Sequence, residues 1–336
     1  MHILAIESSC DETSAAVVDG KTKEVKSNIV SSQLFHSQYG GVIPELASRA
    51  HVEVISFVVE KALFDANCSL DEIDAFAVTT QPGLPGALLV GANFAKGLAI
   101  KTGKPVFPIN HIEAHLYSGF LESQEIEFPF VGLVVSGGHT SLFLVTSFTE
   151  YSVLGSTRDD AAGEAFDKIA SMLGFQYPGG VSIDKNAVNG DPEAFTFPIA
   201  TVGEFQFSFS GLKTSVRNFL SKTFTQEIPE NIKPDICASV QHAITEQLLK
   251  GLKQAVSAYK PKTIVISGGV SANTSLRAKA EQLGKQTHIP VVIPKGEYCI
   301  DNAAMIGLLA AYRYTKSSPS SIQFSVKSSS LRSPRK

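Results

Sequence analysis

Cysteine is scarce in this chain: Cys10, Cys68, Cys237 and Cys299 are the only four in 336 residues. No two form a CxxC pair, which argues against a zinc ribbon or a thioredoxin-like redox site. A disulfide framework suits short secreted chains with small cores, so reduced thiols are expected here. An excess of positive charge is also missing. Lys and Arg number 29 against 32 Asp and Glu, a formal net charge of −3. The molecule as a whole is no polycation, and any RNA contact must use a local basic surface. No apolar run reaches the roughly 20 residues of a membrane helix. The opening Met1-His2-Ile3-Leu4-Ala5-Ile6-Glu7 has neither a basic n-region nor a small-residue cleavage site. The expectation is a cytoplasmic protein without membrane contact.

What is present describes a soluble globular protein, with 43% hydrophobic and 18% charged residues. The length exceeds one comfortable core and suits two domains. Residues 3–6 read as a strand, 7–12 as a polar turn, and 13–18 as a return strand closed by Asp19-Gly20. Apolar residues at helical spacing (Val54, Phe57, Val58, Ala62) predict a helix from about Pro44 to Ala66. A strand over 75–79 then runs into a Gly/Pro-rich turn at 81–86 and a helix through Leu98. A short strand near Val106 precedes a helix that starts near His111.

The pattern then restarts. Val131–Val135 is a strand, Ser136-Gly137-Gly138-His139 a polar turn, and Thr140–Val145 the return strand. Thr263–Ile266 leads into a Gly-rich turn and a helix, mirroring 75–98. Such long-period self-similarity predicts a duplicated α/β lobe. Two lobes around a cleft would bring both polar turns to it. Glycine amides there approach phosphate oxygens closely, and a helix N-terminus attracts an anion. The lobes are expected over 1–108 with 302–336, and over 109–301. Residues 317–336 are expected as a flexible basic tail, with an RNA-backbone contact as its functional reading.

Several motifs carry chemistry. His111-Ile112-Glu113-Ala114-His115 places two histidines at i and i+4, on one face of a helix, where they can share a metal ion. The metalloprotease motif HExxH needs its glutamate directly after the first histidine, and here Ile112 stands there. Asp301 could complete a ligand set or simply cap a helix. A His, His, Asp set leaves coordination positions open, as catalysis requires. The turn at 136–140 suits a phosphate or acyl group better than a plain hairpin. Asp167 lies too deep in its helix to be explained by the dipole, and a carboxylate there can bind ribose hydroxyls. Tyr177-Pro178-Gly179-Gly180 reads as a turn. Residues 207–215 pair aromatics with a basic, hydroxyl-rich loop but lack the spacing of a Walker P-loop.

Ten segments in order resemble the TsaD family of tRNA N6-adenosine threonylcarbamoyltransferases. They are AIESSCDETSAAV (5–17), GGVIPELASRAH (40–51), QPGLPGALLVG (81–91), NHIEAH (110–115), VSGGHT (135–140), DDAAGEAFDKIA (159–170), YPGG (177–180), FSFSGLKTS (207–215), GGVSAN (268–273) and CIDNAAMIG (299–307). The resemblance implies the actin-like ATPase fold with two RNase H-like lobes. It implies transfer of threonylcarbamoyl from threonylcarbamoyl-adenylate to N6 of adenosine 37, in tRNAs reading codons that begin with A, with release of AMP. It makes His111, His115 and Asp301 ligands of one divalent metal per subunit, Fe²⁺ or alternatively Zn²⁺. It assigns Val134, Val135, Ser136, Gly137, Gly138, Asp167, Gly180, Asp184 and Asn273 to the adenylate. It also implies two bacterial partners, a TsaB-like paralogue and a TsaE-like P-loop ATPase. Our own addition is that His139 and the Gly137 and Gly138 amides assist at the transferring carbonyl.

Overall fold

The computed structural model describes residues 1–123, 125–314 and 322–328. The chain divides into two compact units, Met1–Ser123 with Pro294–Lys336, and Gln124–Ile293. In chain terms the second is an insertion in the first.

Unit 1 starts with β1 (His2–Glu7), β2 (Glu12–Asp19), β3 (Val25–Ser32), α1 (Pro44–Asp65), β4 (Ile73–Gln81), α2 (Pro85–Thr102), β5 (Val106–Asn110) and α3 (His111–Tyr117). Its sheet has the order β3-β2-β1-β4-β5. The first three strands are antiparallel, while β4 and β5 run parallel to β1. The central strands read as continuous apolar runs because both faces are covered. Leu4, Ile6, Phe76 and Val78 pack with Ile55 and Val58 of α1 and Ala95 of α2. Full burial of each such side chain stabilises by about 1.5–3 kcal/mol. Proline fits the first turn of α1 and of α2, where its missing N–H costs nothing.

Unit 2 holds β6 (Phe130–Val135), β7 (Thr140–Ser147), β8 (Glu150–Ser156), α4 (Ala162–Met172), α5 (Gly179–Ala187), α6 (Ser210–Thr223), α7 (Lys233–Tyr259), β9 (Thr263–Ser267), α8 (Thr274–Thr287) and β10 (Val291–Val292). Its sheet has the order β10-β9-β6-β7-β8. Again three antiparallel strands meet two parallel ones. Read from the other edge, this is the strand order of unit 1, so the lobe is duplicated. The strands β3 and β8 are edge strands that the sequence reading passed over.

The chain returns to unit 1 with α9 (Gly296–Cys299) and α10 (Ala303–Tyr314). Helix α10 packs on β1, β2 and α3. Gly307 permits this approach: an added Cβ would lie 2.6 Å from Val18 and 3.2 Å from Ala5. The units divide after 123 and 293 rather than after the expected 108 and 301, because α3 and α9 belong with the first unit. Of the expected basic tail, only 322–328 falls within the described residues. There Phe324 packs on the unit 1 core, with its carbonyl 2.7 Å from Lys96 Nζ. Among the described residues no disulfide joins the cysteines, and no helix is long and apolar enough to cross a membrane.

Candidate metal centre

The centre is built where strands of unit 1 end. Asn110 closes β5, and its side chain accepts from Ile112 N at 2.9 Å and Glu113 N at 3.1 Å. This cap starts α3 at His111 itself. One turn later His115 lies on the same face, with ring centroids 4.6 Å apart and edge to face. Glu113 points elsewhere and pairs with Arg313, at 2.8 Å from each carboxylate oxygen. It is therefore no general base for a peptidase.

Asp301 arrives from the other end of the unit. The alternative reading made it the cap of α10, but that role belongs to Asn302, whose Oδ1 accepts from Met305 N at 3.1 Å. Ser14 Oγ takes Ala303 N at 2.9 Å and Asn28 Oδ1 takes Ala304 N at 3.3 Å. The first amides of α10 are thus satisfied by the sheet. The Asp301 carboxylate is left to the histidines. Its Oδ1 lies 3.3 Å from His111 Nε2 and 2.9 Å from His115 Nε2.

Two imidazole nitrogens and a carboxylate oxygen converge within 4.8 Å. Both histidines are buried, and the aspartate side chain is 19% exposed. The set fits one divalent transition ion with positions left for other ligands. Burial alone would push the Asp301 carboxyl up, but His111 and His115 hold it well below the usual range. For His111, burial favours the neutral ring, yet the Asp301 and Glu7 carboxylates raise it well above its ordinary value. Burial prevails at His115 and lowers it.

The sequence reading missed Glu7. It is fully buried at the end of β1, with Oε2 3.0 Å from His111 Nδ1. A lone acid ending an apolar strand of an open α/β sheet was the available signal, since such sheets bind ligands beyond the carboxyl ends of their strands.

The residues expected to hold an adenylate lie in unit 2 and form a hydrogen-bonded series. Val134 and Val135 are fully buried within β6. The following turn is closed by Ser136 N donating to His139 O at 2.8 Å, and by His139 N donating to Ser136 Oγ at 3.2 Å. Gly137 and Gly138 are exposed, and a Cβ on either would meet no atom within 4 Å. The carbonyls of Ser136 and Gly137 take the amides of Gly163 and Glu164, which begin α4. Gly163 is required here, because a Cβ would lie 2.6 Å from Ser136 O. Asp167 Oδ1 then accepts from Gly179 N at 2.7 Å and Gly180 N at 3.3 Å. The segment read as a turn at 177–180 therefore opens α5, capped by Asp167. Asp184 on α5 accepts from Asn273 Nδ2 at 3.1 Å and Thr274 Oγ1 at 2.7 Å, at the start of α8. Asn273 also donates to Gln241 Oε1 at 3.0 Å, a buried partner on α7 that carried no sequence signal.

The motif at 207–215 serves α6. Asp159 Oδ1 accepts from Phe209 N at 2.8 Å and Ser210 N at 3.2 Å. Asp160 pairs with Lys213 at 2.5 Å and Lys168 at 3.1 Å.

Comparisons with known proteins agree with this architecture. The (R)-2-hydroxyglutaryl-CoA dehydratase component A of Acidaminococcus fermentans superposes with a TM-score of 0.57, over 94% of this chain and 100% of its own, at 14% identity. Full-length HypF gives 0.63 over 95% of this chain and 47% of its own, at 13% identity. These likenesses concern the fold alone. In sequence, the tRNA N6-adenosine threonylcarbamoyltransferase of Clostridium botulinum strain 657 is 50% identical over 319 residues, 94% of this chain and 93% of its own. That of Geotalea uraniireducens is 51% identical over 316 residues, 93% and 91% of the two chains. The sequence model of the TsaD family, tRNA N6-adenosine threonylcarbamoyltransferase, matches residues 24–308. With that match spanning most of its length, and half its residues shared with such relatives, the chain belongs to the TsaD family of transferases.

Proposed function

We propose that this protein transfers a threonylcarbamoyl group from threonylcarbamoyl-adenylate to N6 of adenosine 37, in tRNAs reading codons that begin with A, and releases AMP. The observation that carries the reading is the convergence of His111, His115 and Asp301 in a chain half identical to named transferases of this kind. We assign the ion to these three residues, as Fe²⁺ with Zn²⁺ the alternative. When bound, a divalent ion supplies Lewis acidity toward carbonyl or phosphate oxygens.

The donor is a mixed carbamic–phosphoric anhydride and is already activated. The N6 amine attacks the carbamoyl carbon, a C–N bond forms, the bond to phosphate oxygen breaks, and the amine loses a proton. No covalent enzyme intermediate is required. The chain's task is to orient donor and amine and to stabilise developing negative charge. We assign the adenylate to Val134, Val135, Ser136, Gly137, Gly138, Asp167, Gly180, Asp184 and Asn273. The buried valines contribute through backbone, the exposed glycines through close approach, and Asp184 and Asn273 through polar edges already held in place. His139 is assigned to the transferring carbonyl, with the Gly137 and Gly138 amides.

The cytoplasm is the place where this substrate is met. A TsaB-like paralogue and a TsaE-like P-loop ATPase are the partners the family resemblance implies. The test is mass spectrometry of tRNA nucleosides after incubation of the protein with unmodified tRNA, threonylcarbamoyl-adenylate and those partners. Threonylcarbamoyladenosine is expected with the wild type and not with His111→Ala. Product from both variants would make the histidines structural. No product from either, with active partners, would leave the chain a non-catalytic scaffold.

A further inference from the structure

The two histidines of the triad are not equivalent. Among the described residues, His115 Nδ1 is buried and meets no hydrogen-bond partner. His111 Nδ1 faces Glu7 Oε2 at 3.0 Å, with Ser9 Oγ at 3.3 Å. Glu7 is itself held on every side. Ser9 N donates to its Oε1 at 2.6 Å, and Thr79 Oγ1 donates to its Oε2. A backbone N–H can only donate, so Oε1 must accept. On Oε2 the threonine hydroxyl donates, and His111 Nδ1 faces it and donates in the tautomer that leaves Nε2 free for an ion. A fully buried carboxylate with three donors around it acts as an acceptor only.

We propose that Glu7 is a positioning residue for the metal centre. It accepts the proton-bearing Nδ1 of His111 and so fixes the ring and tautomer that turn Nε2 toward the ion, beside His115 Nε2 and Asp301 Oδ1. The proposal rests on reading the triad as a metal centre. Its physical basis is general: a histidine ligand whose other nitrogen donates to a carboxylate is oriented and made more electron-rich. Because the supporting group sits in β1, the ligand geometry is built into the central strand of the sheet.

The amide variant is informative. In Glu7→Gln one oxygen becomes an NH₂ group. Turned toward Ser9, it sets donor against donor. Turned toward His111, it forces the imidazole proton onto Nε2, which blocks that nitrogen as a ligand. Either placement weakens the centre while the three ligands remain.

The experiment uses the purified full-length chain, stripped of metal and titrated with cobalt(II). Affinity is read by competition with a chromophoric chelator, and ligand field by the visible d–d bands. The metal-free melting temperature serves as the fold control. Glu7→Gln is expected to bind cobalt about 10–100-fold more weakly, with altered bands. Glu113→Gln, on the same helix but paired with Arg313, is expected to match the wild type in both. Wild-type affinity and bands in a folded Glu7→Gln would overturn the proposal. Should Glu7→Gln fail to fold, Thr79→Val decides. It removes one donor from Oε2, a smaller loss in the same direction is expected, and unchanged cobalt binding would equally overturn it. Failure of the wild type to bind cobalt would instead sink the underlying reading of the triad.

Discussion

His115 Nε2 and Asp301 Oδ1 lie 2.9 Å apart although 186 residues separate them in the chain. The same oxygen faces His111 Nε2 at 3.3 Å. One acceptor between two imidazole nitrogens is an arrangement in which a divalent ion could take the place of protons. Replacing either partner removes a ligand and leaves the others buried without compensation. His115→Ala and Asp301→Asn are each expected to hold less than one metal per chain by elemental analysis. Each should also lose at least the roughly 10–100-fold in tRNA modification that follows when even an outer partner is removed.

Metal should also stabilise the fold. An ion that binds only the native chain contributes about 2.7 kcal/mol when present at 100 times its dissociation constant. Zinc or cobalt added to stripped protein is therefore expected to raise Tm, and excess chelator to reverse the rise. Asp301→Asn should show no such shift. A shift of wild-type size in that variant would place the ion elsewhere.

Gly163 sits where α4 begins against the turn at 136–138. Its substitution by alanine would drive a Cβ to 2.6 Å from Ser136 O and 2.7 Å from Gly137 Cα. These are backbone atoms, so the turn must move. Gly163→Ala is expected to cost about 1–3 kcal/mol in denaturant unfolding. It should weaken adenylate binding in calorimetry, while Gly211→Ala, with open space around it, should leave that affinity unchanged. Equal affinity in both variants would remove the turn from the donor site.

Asp160 gives unit 2 a pH dependence. Burial would raise its carboxyl, but hydrogen bonds and charge from Lys213 and Lys168 bring it below the ordinary value of 3.8. Since the folded value is the lower one, the paired state stabilises above 3.8 and is lost as pH falls through the folded value. Asp160→Asn is expected to lower stability by on the order of 1 kcal/mol at pH 7, with the gap closing in acid below 3.8. A gap that persists there would mean the aspartate acts through shape rather than charge.

Much of this architecture can be read from the chain, and the gaps have physical causes. Helix α1 was visible because apolar residues recur at helical spacing from Val54 to Ala62, although Phe57 of that set is exposed and the buried face also draws on Ala47, Ile55 and Val59. The central strands were visible because burial on both faces leaves unbroken apolar runs. The edge strands β3 (VKSNIVSS) and β8 (EYSVLGS) were not, since solvent on one side relaxes the pattern to serine-rich sequence. The lobe boundaries moved because periodicity reports that α3 is a helix, not which unit it joins. The histidine pair was legible from spacing alone, whereas Asp301 needed the family resemblance and Glu7 needed coordinates. The sequence offers Asp167 as a carboxylate for ribose hydroxyls, and only the fold shows that one oxygen caps α5.

The insertion of unit 2 within unit 1 has a consequence for how the protein is made. During synthesis, His111 and His115 emerge early, and the whole of unit 2 follows before Asp301 is added. Chains fold by domains as they leave the ribosome, so unit 2 can form while unit 1 still lacks α10 and its aspartate. No growing chain shorter than 301 residues carries the complete triad. The three residues of the candidate metal centre are thus together only after unit 2 has been made, so an ion held by the triad would mark a chain extended past Asp301.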